Sequence, residues 1–334
     1  MNSYPLTRRG FIRTASCSMA ALSAMAATQP AFAQDGPDQL HILVGFGAGS
    51  FPDTLSRIVA EQLSAAYPRR VLVENRPGAA GLIAVNALKA APADGSTVML
   101  ASGTVASAYP ILYEKLSYDP MVDLKPVSLA AEVTLGLAVG PAVPLSVGNV
   151  RQLIEWMRAN PTLANVASPG VGTPPHLLEA MLFRQAGVEW QHVSYPGGPP
   201  ALGAVLAGQV AALVLPEGLL RAHQISGKLR VLATSGAQRS RYLPEVPTFV
   251  EQGHANLVVV DWFAFFMSGS VSTSAVEAAS RKLRTAIARP ELVATLSEAS
   301  AVAVSSTPSA LAARISADQR YWGPVIRDNH IRIE

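Results

Sequence analysis

Two rhythms of apolar and polar positions alternate along the chain. Leu40-His41-Ile42-Leu43-Val44 is an apolar run of strand length, and Gly45 to Pro52 has the glycine content of a flexible loop. From Asp53 to Ala66, Leu55, Ile58, Val59 and Leu63 recur at helical spacing and form one apolar face. The unit then repeats. Arg70 to Glu74 predicts a second strand, Asn75 to Gly81 a turn, and the following residues a helix to Ala90. Asp94-Gly95 marks a turn before a third strand, Thr97 to Ala101.

A second series starts at the strand Ala164 to Ala167. It continues through the loop Ser168 to His176 and a helix to Ala186. Trp190 to Tyr195 predicts a strand closed by Pro196-Gly197-Gly198-Pro199-Pro200, with a helix to Ala207 behind it. Ala211 to Leu215 and Lys228 to Thr234 are further strands. Repeated β–loop–α units predict a mostly parallel sheet with helices on both faces. Beyond residue 270 the pattern is mainly helical. Ser274 with Glu277 reads as a capping box, and Pro290 and Pro308 suit first helical turns. The longest apolar stretch, Leu257 to Met267, is interrupted only by Asp261 and reads as a buried strand.

The first 33 residues follow another logic. Thr7-Arg8-Arg9-Gly10-Phe11-Ile12-Arg13 reads as a twin-arginine export signal, with Ala15 to Ala27 as its apolar stretch. Ala31-Phe32-Ala33 supplies the small residues of a cleavage site. The expectation is cleavage after Ala33 and a mature protein in the periplasm. Cys17, the single cysteine, would leave with the signal, so the mature chain has no disulfide or thiol chemistry. The same segment accounts for the basic balance. It contains Arg8, Arg9 and Arg13 and no acid, and the rest of the chain carries 23 basic against 23 acidic residues. A nucleic-acid partner therefore has no electrostatic support, and 6% aromatic residues are too few for a base-stacking surface. With 334 residues, 49% hydrophobic and 15% charged, the composition fits about two well-buried domains. No run of about 18 apolar residues marks a membrane span.

Most catalytic signatures are missing. The six histidines are scattered, without H-E-x-x-H or H-x-H spacing, so no metal site and no cofactor is expected. There is no phosphate-binding G-x-x-x-x-G-K-[ST] and no G-x-S-x-G elbow. Gly45-Phe46-Gly47-Ala48-Gly49 with Glu74 approaches a dinucleotide fingerprint. Ser50 stands where its third glycine belongs, and Phe51-Pro52 displace the helix start, so a ligand-holding loop is the better reading.

An ordered set of segments then carries a family resemblance. It comprises Phe46-Gly47-Ala48-Gly49 with Asp53 and Arg57, Val73-Glu74-Asn75-Arg76-Pro77-Gly78-Ala79-Ala80-Gly81, and Ala91-Pro92-Ala93-Asp94-Gly95. Leu116-Ser117-Tyr118-Asp119-Pro120, Ser168 to His176, Val193 to Gly197, Leu206 to Val210, Gly227 to Ala233 and Leu243 to Thr248 follow. In this order the chain resembles the solute receptors of tripartite tricarboxylate transporters, the Bug family. The resemblance implies a type II periplasmic-binding-protein fold, α/β in class, with two α/β domains joined by crossing strands and a ligand cleft between them. The crossings are expected near Ser128 to Ala138 and Leu257 to Phe266. Domain 1 would take residues 35–132 and 262–334, and domain 2 residues 133–261. The implied function is a non-catalytic, monomeric receptor for a small organic carboxylate, delivering it to the membrane subunits of a transporter. An exported hydrolase-like enzyme with a non-local site, and an orphan receptor feeding a sensor kinase, are the alternatives.

Strand ends and helix N-termini along one sheet edge offer unpaired N–H groups to a carboxylate. Candidate ligand residues are Phe46, Gly49, Ser50 and Asp53 in the first loop and Ser102, Gly103 and Thr104 after the third strand. Ser168, Gly170, Gly172, Thr173 and His176, then Tyr195 and Gly197, complete the set. Each has a structural alternative: Asp53, Ser102 and Thr104 as caps, His176 as a satisfied histidine, Tyr195 as wall packing. Arg57 and Arg76 read as partners of acids such as Glu74. The chain departs from the family at Ser50, Phe51-Pro52, Ala211 and Leu215-Pro216-Glu217. A bulkier first loop and a more apolar second edge favour an aromatic or branched carboxylate.

Overall fold

A strand buried on both faces must find an apolar partner for each. That requirement organises the sheet. The computed structural model describes residues 37, 39–67 and 70–333, and the expected export segment lies outside them. The chain opens with β1 (Gln39–Val44), α1 (Phe51–Leu63), β2 (Arg70–Asn75), α2 (Leu82–Lys89) and β3 (Thr97–Ser102). The 16-residue strand β4 (Leu124–Val139) comes next. Then follow α3 (Val150–Ala159), β5 (Asn165–Ser168), α4 (Pro174–Gln185), β6 (Gln191–Ser194) and α5 (Gly198–Leu206). After β7 (Ala212–Pro216), α6 (Glu217–Ile225) and β8 (Arg230–Thr234), the chain returns through β9 (Val260–Ser268). It ends with α7 (Thr273–Ile287), α8 (Pro290–Glu298), β10 (Val302–Ala303) and α9 (Pro308–Asp328).

Strands β2-β1-β3 are parallel, and so are β7-β5-β6. This much matches the expected parallel sheet. The strands between them do not: β9 is antiparallel to β3 and β4, and β4 is antiparallel to β7 and β8. The reason is that β4 and β9 carry the chain from one strand set to the other and back, in opposite directions. β4 pairs with β9 over Leu124–Thr134, then with β7 and β8 over Leu135–Val139. The return runs through Val259, whose N–H donates to the Ser235 carbonyl at 3.0 Å.

Side-chain alternation divides the interior. Leu40, Ile42 and Val44 of β1, Val98 and Leu100 of β3, and Phe263, Phe265 and Met267 of β9 share one cluster with α1 and α7. Leu43, Met99, Trp262 and Phe266 face the opposite side. In the second strand set, Leu213 and Leu215 of β7 join Ala138, Leu202 and Val205, while Ala212 and Val214 turn the other way. Helix ends obey local chemistry. Pro290 and Pro308 occupy first turns as expected, the latter behind the cap Thr307. The expected capping box at Ser274 is corrected: Ser272 is extended and accepts the Ala275 N–H at 3.2 Å, so the cap lies two residues earlier.

Two buried features have measurable consequences. Gly103 donates its N–H to the Trp262 carbonyl at 2.9 Å, and a Cβ on it would sit 2.1 Å from the Trp262 ring. The ring is itself fixed, because Nε1 donates to Asp318 Oδ2 at 2.6 Å. Gly103→Ala is expected to cost about 1–3 kcal/mol by overpacking. A thermal melt should show a lowered midpoint, and an unchanged one would contradict this packing. The second feature is Glu179 of α4, fully buried, with no hydrogen-bond partner for either carboxyl oxygen among the described residues. Burial pushes this carboxyl well above its ordinary value. The folded protein therefore keeps a proton that the unfolded chain releases above about pH 4.3, and stability is lost as pH rises. Glu179→Gln removes this dependence. As pH rises above the ordinary carboxyl range the variant should gain on the parent, read from paired denaturation curves at several pH values, and parallel curves would contradict this.

Candidate ligand-binding site

The loops after β1, β2, β5 and β6 meet where the two strand sets face each other. Their closeness depends on glycine. A Cβ on Gly45 would lie 2.6 Å from the Gly81 Cα, and one on Gly170 would lie 3.3 Å from the Ala80 Cβ. Ala79 and Ala80 both adopt left-handed backbone, with φ of 45° and 50°. Side chains pay for that conformation, roughly 1–2 kcal/mol each, and it persists only where the surroundings enforce it. Here Tyr109 does so, donating its hydroxyl to the Ala80 carbonyl at 2.9 Å.

Two cavities adjoin, sharing Phe46 and Pro169. The first has an apolar wall of Phe51, Phe263, Leu215, Leu219 and several prolines, with Ser50, Ser102, Thr173 and Asp261 as its polar side chains. The second is lined by small loop residues, Gly45, Pro77 to Ala80 and Gly170-Val171, together with Tyr113, Ser194 and Tyr195. Among the described residues, the N–H groups of Phe46, Ala79, Ala80 and Val171 have no hydrogen-bond acceptor. Neither cavity has an Arg, Lys or His in its lining. The arrangement can hold an apolar body and donate main-chain hydrogen bonds to an acceptor group.

Of the candidate residues, Phe46, Ser50, Ser102, Thr173, Gly170 and Tyr195 line these cavities. The others support them. Asp53 is buried and accepts from the Gly49 N–H at 2.9 Å, Asn75 Nδ2 at 2.9 Å and Arg57 Nη2 at 2.9 Å. Burial alone would raise its carboxyl, but hydrogen bonds from Arg57, Gly49 and Asn75 outweigh it and hold the group below the usual carboxylate range. Asn75 also donates to the Phe46 carbonyl at 2.9 Å, so this network shapes the first loop. Arg76 pairs with Glu74 at 2.7 Å.

In the second strand set, Ser168 Oγ accepts the Gly170 N–H at 3.3 Å and lies 2.7 Å from His192 Nε2. Thr173 donates its hydroxyl to the Gly170 carbonyl at 2.7 Å. His176 accepts the Gly172 N–H at 3.1 Å, and its ring centroid lies 4.0 Å from that of His192. Burial drives His176 down to about 3 and His192 to about 4, so both are neutral. Gly197 donates to the Tyr195 and Pro169 carbonyls at 2.8 and 3.2 Å. Gly103 packs under Trp262, and Thr104 Oγ1 lies 3.2 Å from Ser102 Oγ. Across the cleft, a Cβ on Gly49 would approach Pro199 to 3.9 Å and one on Gly197 would approach Ser50 to 4.0 Å.

The sequence reading missed several lining residues, chiefly Asp261, Phe263, Leu219 and Tyr113. Asp261 had a signal, since it alone breaks an apolar stretch. It is buried, and Ser102 Oγ donates to its Oδ1 at 2.8 Å. Burial pushes it up to about 7, with Ser102 and the Trp262 N–H opposing and Asp318 reinforcing. Among the described residues, no group of three His, Cys, Asp or Glu could hold a metal ion, and no helix is long and apolar enough to cross a membrane.

Comparisons with known proteins agree with this architecture. Residues 55–331 match the model of the tripartite tricarboxylate transporter family receptor, TctC. A UPF0065 protein of Pseudomonas sp. is 31% identical over 286 residues, which is 85% of this chain and 84% of that protein. The periplasmic binding protein BugD superposes with a TM-score of 0.83 at 24% identity, over 89% of this chain and 99% of its own. An R. palustris protein in complex with adipate superposes equally well, TM-score 0.83 at 26% identity, over 88% and 98% of the two chains. These likenesses and the strand order give the type II periplasmic-binding-protein fold, two α/β domains joined by crossing strands with a cleft between them. With residues 55–331 matched by its model, the chain belongs to the tripartite tricarboxylate transporter receptor family.

Proposed function

We propose that the protein is a non-catalytic periplasmic receptor that captures a small organic carboxylate for the membrane subunits of a tripartite transporter. One observation carries the reading: the cavities between the strand sets join apolar walls to unpaired main-chain N–H groups at Phe46, Ala79, Ala80 and Val171. Such donors suit an anionic acceptor without a charged side chain. Family membership and the adipate held by the R. palustris relative support the ligand class. The domain boundary is proposed at residues 132/133, just before β4 changes partner at Thr134 and Leu135, and at 261/262, near the start of β9. The export signal and cleavage after Ala33 belong to the same proposal.

Protein purified from the periplasm and then denatured should release a small carboxylic acid identifiable by mass spectrometry. Rebinding followed by calorimetry should return that acid unchanged, and its conversion to a product would instead make the protein an enzyme. Phe46 borders both cavities and is only half-buried. Phe46→Ala should weaken binding of the recovered acid by about tenfold while barely moving the thermal midpoint. Undiminished affinity would remove this cleft as the binding site.

A further inference from the structure

Asp261 is out of keeping with a cleft made for an anion. It is the single carboxyl in the lining of the two cavities, and no basic side chain lines them. It is buried in β9 beside Phe263, which packs against Phe51 with ring centroids 5.0 Å apart. The charged group that acts on it, Asp318 of α9, is already committed. Asp318 accepts from Trp262 Nε1, and Arg314 pairs with Glu132 at 2.9 Å and with Asp318 at 3.6 Å. Ser102 Oγ uses one lone-pair direction of the carboxyl, which has room for more donors than Ser102 and the Trp262 N–H supply. A ligand carboxylate placed against it would meet a like charge in a low-dielectric pocket. A hydroxyl or ammonium there would complete its hydrogen bonding.

We propose that Asp261 sets the ligand class: the cleft takes a carboxylate against its main-chain N–H groups and a hydrogen-bond donor, hydroxyl or ammonium, against the Asp261 carboxyl. This rests on the receptor reading and narrows it. The ligand is then a hydroxy or amino acid with its donor remote from the carboxylate and an apolar body between, and a simple dicarboxylate is disfavoured. Asp261 discriminates because both its own geometry and its neighbours fix it before any ligand arrives.

Four acids of equal length separate the possibilities: hexanoate, 6-hydroxyhexanoate, 6-aminohexanoate and adipate. Calorimetry at pH 8 keeps Asp261, pushed up to about 7, mostly ionised. The hydroxy or the amino acid, or both, should bind the parent protein at least tenfold more tightly than hexanoate, with adipate weakest. The hydroxy and amino arms tell which donor is preferred. Asp261→Asn should erase the preference for the ammonium and improve adipate binding about tenfold. Adipate binding as tightly as the donor-bearing acids, an order unchanged in Asp261→Asn, or no binding by any of the four would overturn the proposal. The parent's own order decides the matter even if the variant does not fold. The receptor reading falls on a different result, the absence of any carboxylic acid in protein taken from the periplasm.

Discussion

The antiparallel pairing of β9 with β3 and β4 places the parts of the cleft. Its register sets Ser102 opposite Phe263 and Ala101 opposite Ala264. That brings Ser102 and Asp261, 159 positions apart in the chain, within 2.8 Å of each other. Alternation then sorts neighbouring side chains. Asp261 and Phe263 face the cavity, while Trp262 between them covers Gly103 and holds α9 through Asp318. A slip of one residue would exchange these faces, so the site and the core are specified by the same pairing.

Much of this was legible from pattern alone. The strands at Leu40, Arg70 and Thr97 and their successors at residues 164 to 234 appear close to their expected positions, because apolar runs bounded by glycine and proline leave few alternatives. The antiparallel direction of β4 and β9 was not legible, since local sequence encodes a strand but not its partner. The candidate site shows the same division. Loops at strand ends could be found by composition, and Phe46, Ser50, Ser102, Gly170, Thr173 and Tyr195 do line the cavities. Which loop residues face inward could not. Asp53 and His176 look like ligand groups in sequence but accept hydrogen bonds from their own loops, a relation visible only when the turn is closed.

A division of labour emerges within the loops. Side chains such as Asp53, Asn75, Ser168, Thr173 and His176 bind the loop backbone to itself. The N–H groups of Phe46, Ala80 and Val171, residues that line the cavities, are not used in this way. The ordering cost of the loops is thus met during folding, which leaves less to be met on association. Prolines at 52, 174 and 175 serve the same end by restricting the backbone around the first cavity.

The Asp53 network also bears on where such a protein can work. The bacterial periplasm exchanges small ions with the medium and follows its acidity. A loop held by an ordinary carboxylate would begin to loosen as the surroundings approached that group's own titration range. Because Arg57, the Gly49 N–H and Asn75 keep Asp53 ionised below that range, the wall of the cleft stays assembled in acidified medium.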